Sequence, residues 1–299
     1  MKKVLLFALA FMAVSMIGKA QLINWEIGIM GGASNYVGDI NSMYKNGEDN
    51  SKEWNQFESS FNMYNAHFMG GVLARYNFDP RWSLKGAILF SELSGDDKHF
   101  ENARNLSFHS PIQEFSLTAE FNFLDYRTGS RQHRFTPYLF GGIAVFHFNP
   151  KADIMDPIEL QETTVLLHDL NTEGQGLIDG RDNYSRIQIS IPFGLGVKFS
   201  LSSYTSIGLE WGFRKTFTDY IDDISTTYVD RNALLSYAGE QAVTAADRTN
   251  ELEGNAGVYH QQGEMRGNKS TNDWYNFFGI TFTTKLSTGR SKCLTPGKH

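Results

Sequence analysis

The sequence predicts an all-β fold, an eight-stranded antiparallel transmembrane β-barrel. Three observations carry that expectation. First, Tyr184 to Phe199 alternates strictly: Ile187, Ile189, Ile191, Phe193, Leu195, Val197 and Phe199 on one face, Arg186, Gln188, Ser190, Pro192, Gly194, Gly196 and Lys198 on the other. Successive strand side chains point to opposite faces, and a helix would mix these two sets. Second, the run exceeds the ~5–6 residues of a usual soluble strand and meets the ~9–11 that a bilayer-crossing strand requires. Third, the pattern returns seven more times, separated by alternately long and short polar connections.

The strands fall in order. Strand one is Asn24 to Ala33, with Trp25, Ile27 and Ile29 opposite Glu26, Gly28, Met30 and Gly32. Strand two is His67 to Tyr76, with Phe68, Val72, Ala74 and Tyr76 on one face and Met69, Leu73 and Arg75 on the other. The turn at 77–81 carries Asp79-Pro80, a turn signal. Strand three runs Trp82 to Ser91 and strand four Pro111 to Phe123, where Phe115, Leu117, Ala119, Phe121 and Phe123 oppose Glu114, Ser116, Thr118, Glu120 and Asn122. Strand five, Thr136 to Phe148, is apolar on both faces, so its inside and outside stay unassigned. Strand six is the run at 184–199, strand seven Thr205 to Arg214, and strand eight Asn272 to Leu286. The stretches 36–65, 94–110, 149–183 and 217–271 read as long polar loops, and 124–135 as a moderate connection.

Bacterial outer-membrane barrels have short periplasmic turns and long extracellular loops. An even strand count then puts both chain ends in the periplasm. Trp25, Tyr76, Trp82, Tyr138 and Phe199 fall where one aromatic girdle belongs, and Phe90, Phe148, Tyr184 and Trp274 where the other does. A soluble sandwich or lipocalin-like barrel also alternates, but it buries its apolar face in a core. The faces here are long, aromatic and free of charge.

The first residues read as a signal peptide. Met1-Lys2-Lys3 is a basic start, Val4 to Gly18 an apolar core, and Gly18-Lys19-Ala20 a small-residue cleavage site. Cleavage after Ala20 is expected, giving segments 1–20 (signal), 21–286 (barrel) and 287–299 (periplasmic tail). It removes three lysines and no acids, so the formal charge moves from −6 to −9. An acidic chain argues against nucleic acid as a partner. Outer-membrane lipid is the expected surrounding. The single cysteine, Cys293, permits no internal disulfide.

An eight-stranded barrel is just wide enough for its own side chains. Arg75, Lys85, Glu114, Glu120, Arg186, Lys198, Glu210, Arg214 and Lys285 fall on inward positions. Both signs are present, and unpaired buried charge is costly. A closed ionic plug is therefore expected rather than a selective channel.

Motifs for chemistry are sparse. The eight histidines show no HExxH spacing, and no phosphate-binding loop is present. Asp219, Asp222 and Asp223 offer carboxylates that could hold calcium, but without the spacing of an EF-hand loop; with Tyr220 the stretch reads as a solvated acidic loop with candidate extracellular contacts. Ser107, His109 and Ser110 near a rim suggest a lipid-acting enzyme, but polar loops offer such a set by chance. The expectation is no enzyme, no cofactor, no metal and no small-molecule substrate. Arg127, Arg131, His133 and Arg134 in the 124–135 connection make a local basic patch. It is either a partner contact or ordinary periplasmic solubility.

Several segments carry a family resemblance: SNYVGDI at 34–40, RNLSF at 104–108, TPYLFGGIAVFHFNPKA at 136–152, TEGQG at 172–176, RKTFTDYIDDISTTYVD at 214–230 and RGNKSTNDWYNFFGITF at 266–282. Together they resemble the PorG-like outer-membrane barrels of the Bacteroidota type IX secretion system. The resemblance implies a non-enzymatic barrel that associates with the periplasmic ring of PorK-like lipoprotein and PorN-like partner. It would support cargo export and, in gliding members, motility. The alternative is a surface-binding or structural barrel unrelated to secretion.

Overall fold

The computed structural model describes residues 24–40, 65–100 and 104–286. The expected cleavage site and tail, and most of the first long loop, lie outside these residues. These residues contain ten strands: β1 (Trp25–Val37), β2 (His67–Asn77), β3 (Trp82–Asp96), β4 (Ser107–Asn122), β5 (Phe135–Phe148), β6 (Lys151–Met155), β7 (Glu162–Leu166), β8 (Ile187–Ser200), β9 (Thr205–Thr216) and β10 (Trp274–Lys285). Eight of them form a closed antiparallel ring in the order β1-β2-β3-β4-β5-β8-β9-β10, and β10 returns to pair with β1. Among the described residues no helix is long and apolar enough to cross a membrane.

Closure follows from the alternation. Every ring strand has one long apolar face and one mixed face, and a closed ring satisfies every backbone group while sorting the two faces to outside and inside. The outward band is exposed and apolar on all eight strands, including Ile29, Val72, Ile88, Phe115, Ile143, Leu195, Leu209 and Ile280. From Trp82 to Phe90 on β3 and from Phe135 to Val145 on β5 it rises roughly 20–25 Å at the usual rise and tilt, the height of a lipid-facing band. Aromatic contacts edge it at the short-turn end, with ring centroids 5.1 Å apart for Trp25 and Tyr76 and 5.0 Å for Trp82 and Phe121. Asp79 Oδ1 accepts from the Arg81 and Trp82 amides at 2.7 and 2.9 Å, which fixes the tight β2–β3 turn.

β5 resolves its two apolar faces through specific partners. Tyr138, Phe140, Phe146 and Phe148 point inward and are buried, while Leu139, Ile143 and Val145 are exposed outside. Tyr138 and Phe148 are therefore lumen residues, not girdle residues. Glycines on β8 and β9 make the room. A Cβ on Gly194 or Gly212, which face each other, would stand 2.7 or 2.6 Å from Phe140 Cζ.

The long loops differ from the sequence reading. Both ends of 94–110 are strand, because β3 and β4 stay paired from Ser91↔Ile112 up to Asp96↔Ser107. Beyond the lipid band the outward residues, such as Glu92 and His109, are polar, so the hairpin continues into water. Residues 149–183 contain the β6–β7 hairpin and a single helical turn, α1 (Leu167–Leu170). Residues 217–271 contain two short helices, α2 (Arg231–Ala238) and α3 (Glu240–Ala246). These pieces fold over the long-loop end as a cap. Its apolar residues Ile221, Ile224 and Ala245 join the upper lumen residues Met30, Leu89, Phe146 and Phe277 in one buried cluster.

Candidate functional site

The lower lumen holds a closed ionic network. Arg75 on β2 donates through Nη1 to Glu26 of β1 at 2.9 Å and through Nη2 to Glu120 of β4 at 3.2 Å. Glu120 also receives Lys198 Nζ of β8 at 2.7 Å and lies 3.6 Å from Lys85 Nζ of β3. Lys85 continues to Glu210 of β9, and the Tyr138 hydroxyl donates to that same carboxylate at 2.8 Å. One level up, Arg214 donates to Glu114 through Nε at 3.1 Å and Nη2 at 3.3 Å, and the Tyr275 hydroxyl adds a bond at 2.8 Å. Arg214 also covers the Phe277 ring at 4.2 Å. Four carboxylates meet four cations, all buried and all paired. Pairing of this kind is what makes buried charge tolerable.

Seven of the nine expected lumen residues meet in this network. Arg186 and Lys285 do not. Arg186 precedes the first residue of β8 and donates to Asn149 at the rim, at 3.1 Å. Lys285 ends β10 and lines a recess of about 360 Å³ at the short-turn mouth with Asn24, Glu26, Asn77 and Arg127. Glu26 was the lumen acid absent from the expected set. Its place in strand one on the same face as Gly28 and Met30 was the available signal. Thr128 reaches into the lumen to donate to it at 2.6 Å. The patch residues Arg127, Arg131, His133 and Arg134 are all exposed at the short-turn end.

The acidic stretch is not solvated, which corrects the expectation. Asp219, Asp222 and Asp223 are buried under the cap, and Tyr220 is half-buried. Distant segments supply the cover and the donors. Asp222 accepts from the Ile40 and Ile224 amides at 3.2 and 3.0 Å. Asp223 accepts from the Thr172 hydroxyl at 2.5 Å and the Tyr184 hydroxyl at 2.7 Å. Tyr184 stacks on Tyr220, with centroids 4.6 Å apart. Asp273 accepts from the Tyr36 hydroxyl at 2.6 Å and the Ile221 amide at 2.8 Å.

Two arginines tie the cap together. Arg104 pairs with Asp97 at 3.0 Å and donates to the Asp39 and Arg266 carbonyls. Arg266 donates to Glu173 at 3.1 Å and to the Asp223 and Ala246 carbonyls. Glu173 accepts further from the Ser225 and Thr226 amides. The turns that seat it need Gly174 and Gly176 at φ +72° and +77°, a region that disfavours other residues. Asp39, Arg104, Glu173, Asp222 and Arg266 come from five of the segments on which the family resemblance rests. Those segments are far apart in sequence and meet here. Arg104, Glu173 and Arg266 were not singled out individually, because nothing within each short segment shows that it faces the others.

Among the described residues no group of His, Cys, Asp or Glu is arranged to hold a metal ion. His109 stands 3.9 Å from Asp153 of β6.

A family profile described as a domain of unknown function, DUF6089, matches residues 2–164. No curated protein matches the chain. Among solved structures the chain is similar to a Neisserial surface protein A, at 7% identity and TM-score 0.38, covering 88% of this chain and 97% of that one. It is also similar to Ail, the attachment invasion locus protein of Yersinia pestis, solved with the heparin analogue sucrose octasulfate (11% identity, TM-score 0.34, 87% and 98% covered). A third is the N-terminal β-barrel domain of Pseudomonas aeruginosa OprF (10% identity, TM-score 0.33, 86% and 96% covered).

Proposed function

The chain belongs to the DUF6089 family, and from that premise we propose that it is a non-enzymatic outer-membrane barrel that anchors a periplasmic assembly, the ring of a type IX secretion system. The filled lumen is the observation that carries the non-channel part. A barrel whose buried lumen charges are paired, and whose upper lumen is packed with Phe146, Phe277 and Leu89 beneath a folded cap, offers solutes no path. The apolar band supports residence in an outer membrane. With lumen and cap closed, the short-turn face remains for work. There the exposed Arg127, Arg131, His133 and Arg134 stand on an otherwise acidic chain. The type IX assignment rests on the resemblance of the quoted segments, and the contact on this patch.

Native co-purification tests it. The full chain, tagged in its tail and extracted gently, is expected to bring down PorK-like and PorN-like ring proteins. Arg127→Glu, Arg131→Glu and Arg134→Glu together should cut that recovery about tenfold or more while the barrel still folds. Recovery of a lone barrel from membranes cross-linked before extraction would overturn the secretion reading.

A second reading has its own observation. The tip between β6 and β7 exposes Met155, Ile158 and Leu160 at the long-loop end, with Ile158 and Leu160 72% and 77% exposed. Grouped apolar residues of this kind mark contact sites. In this reading the barrel binds another surface, and deleting residues 152–165 should abolish adhesion without touching secretion.

A further inference from the structure

Among the described residues the cap buries more carboxylate than cation. Asp39 follows β1, Asp97 follows β3, Glu173 follows α1, Asp219, Asp222 and Asp223 follow β9, and Asp273 precedes β10; all seven are buried. Arg104 and Arg266 are the buried guanidiniums among them, and they pair with Asp97 and Glu173. Arg181, half-buried, spends its donors on the Glu173 and Thr227 carbonyls and the Thr227 hydroxyl. Asp222, Asp223 and Asp273 thus accept from backbone amides and from Thr and Tyr hydroxyls. Asp219 has less. It is 7% exposed, and neither of its oxygens makes a hydrogen bond of normal geometry. Asp39, Asp222 and Glu173 face it, with the Ser225 hydroxyl as the donor that partly offsets them. Asp273 in turn faces Asp222, Asp219 and Asp39.

Like charges buried in one site cannot all ionise. Something must neutralise them. The described acids are not grouped as metal ligands, and protons need no such grouping. We propose that the cap is a proton-held closure: Asp219, Asp222 and Asp273 hold protons when the cap is shut, and alkalinity that removes them loosens the 217–226 segment from the barrel mouth.

The groups facing the cluster agree on direction. Burial and then the charge of Asp39 push the Asp219 carboxyl up to about 9 and raise Asp222 well above its ordinary range. Burial and then Asp222 do the same to Asp273. Asp39 and Asp223 rise to about 6, chiefly through burial, with Arg104 and Arg266 respectively opposing the rise. Asp97 is raised by burial against Arg104. A carboxyl raised in the closed state holds a proton that the open state releases near pH ~4. Closure therefore weakens as pH climbs from about 4 to the raised value, and the loss is complete above it. Each unit of that rise is about a tenfold change in the opening equilibrium.

Limited proteolysis of the full, detergent-folded chain reads this out. Cleavage within 217–226 is followed from pH 6 to pH 10 with a broad-range protease, and each rate is divided by that for the free peptide of the same sequence. The normalised rate should rise about 100-fold or more, with no such rise in the β8–β9 region. Asp219→Asn, of equal size and without charge, should lower cleavage at pH 9 and flatten the profile by about tenfold or more. If that variant fails to show the heat-modifiable band of a folded barrel, Asp222→Asn takes its place, and the wild-type profile stands without either. A flat wild-type profile to pH 10 would overturn the proposal. So would full protection of the wild type at pH 9 by millimolar calcium, which would assign the neutralisation to a bound cation.

Discussion

Glu120 is the residue on which the lumen converges, since it touches Arg75, Lys198 and Lys85 from three other strands. Replacing it with Gln keeps the volume but leaves buried cations one anion short. Breaking a buried pair from one side costs about 3–5 kcal/mol. Glu120→Gln should lower the urea midpoint of the vesicle-folded barrel accordingly, followed by its heat-modifiable migration, whereas the same change at exposed Glu253 should leave it within about 0.5 kcal/mol. The lumen charges were legible because alternation assigns a face wherever a strand is long. Lys85, Glu114 and Glu120 lie inside their strands with at least two strand residues on either side, so parity alone points them inward. Arg186 and Lys285 share that parity but stand at strand ends, where the next residue is already at the rim. The acidic stretch shows the opposite limit. What buries Asp219, Asp222 and Asp223 is supplied by Ile40, Thr172, Tyr184 and residues 266–273, none of them local.

The eight ring elements were readable from period-two patterning, and their pairing follows from chain order. β5 was the exception, because an inward face of Tyr138, Phe140, Phe146 and Phe148 looks apolar until its partners are known. Lys85 Nζ lies 4.8 Å from the Phe140 ring centroid and Lys198 Nζ 4.3 Å from that of Tyr138, so these rings serve the charged lumen. The cap elements were not readable. β6 and β7 are five residues each, and α1 is one turn; so short a segment carries too few periods to show one. Outward substitutions separate ring from cap. Leu139→Arg, in the middle of the β5 band, should destabilise the folded barrel in vesicles by about 2–4 kcal/mol. Ile158→Arg at the hairpin tip should leave the unfolding midpoint unchanged.

As a whole molecule the protein is a solid post rather than a pipe. The lower lumen is electrically balanced, the upper lumen is apolar, and the cap is folded onto it. Vesicles loaded with the protein should therefore show no swelling in small sugars above empty controls. Removing the cap residues 217–271 should still give little swelling, because Glu114, Arg214, Tyr275 and Phe277 remain in the bore. Rapid solute entry in the intact chain would contradict the filled lumen. One feature of the ring reaches further. β1 has two neighbours, and the second is the last strand, with Glu26 opposite Lys285 and Thr283 Oγ1 donating back to Glu26 at 3.2 Å. Until that final strand arrives, β1 and β9 each present a row of unmet amides and carbonyls, which hydrocarbon does not tolerate. A growing chain therefore has no stable partial barrel to rest in. Its commitment to the bilayer falls when β10 pairs with β1, in a single clasping step, and any factor that assists biogenesis must shelter two open edges until residue 285 is in hand.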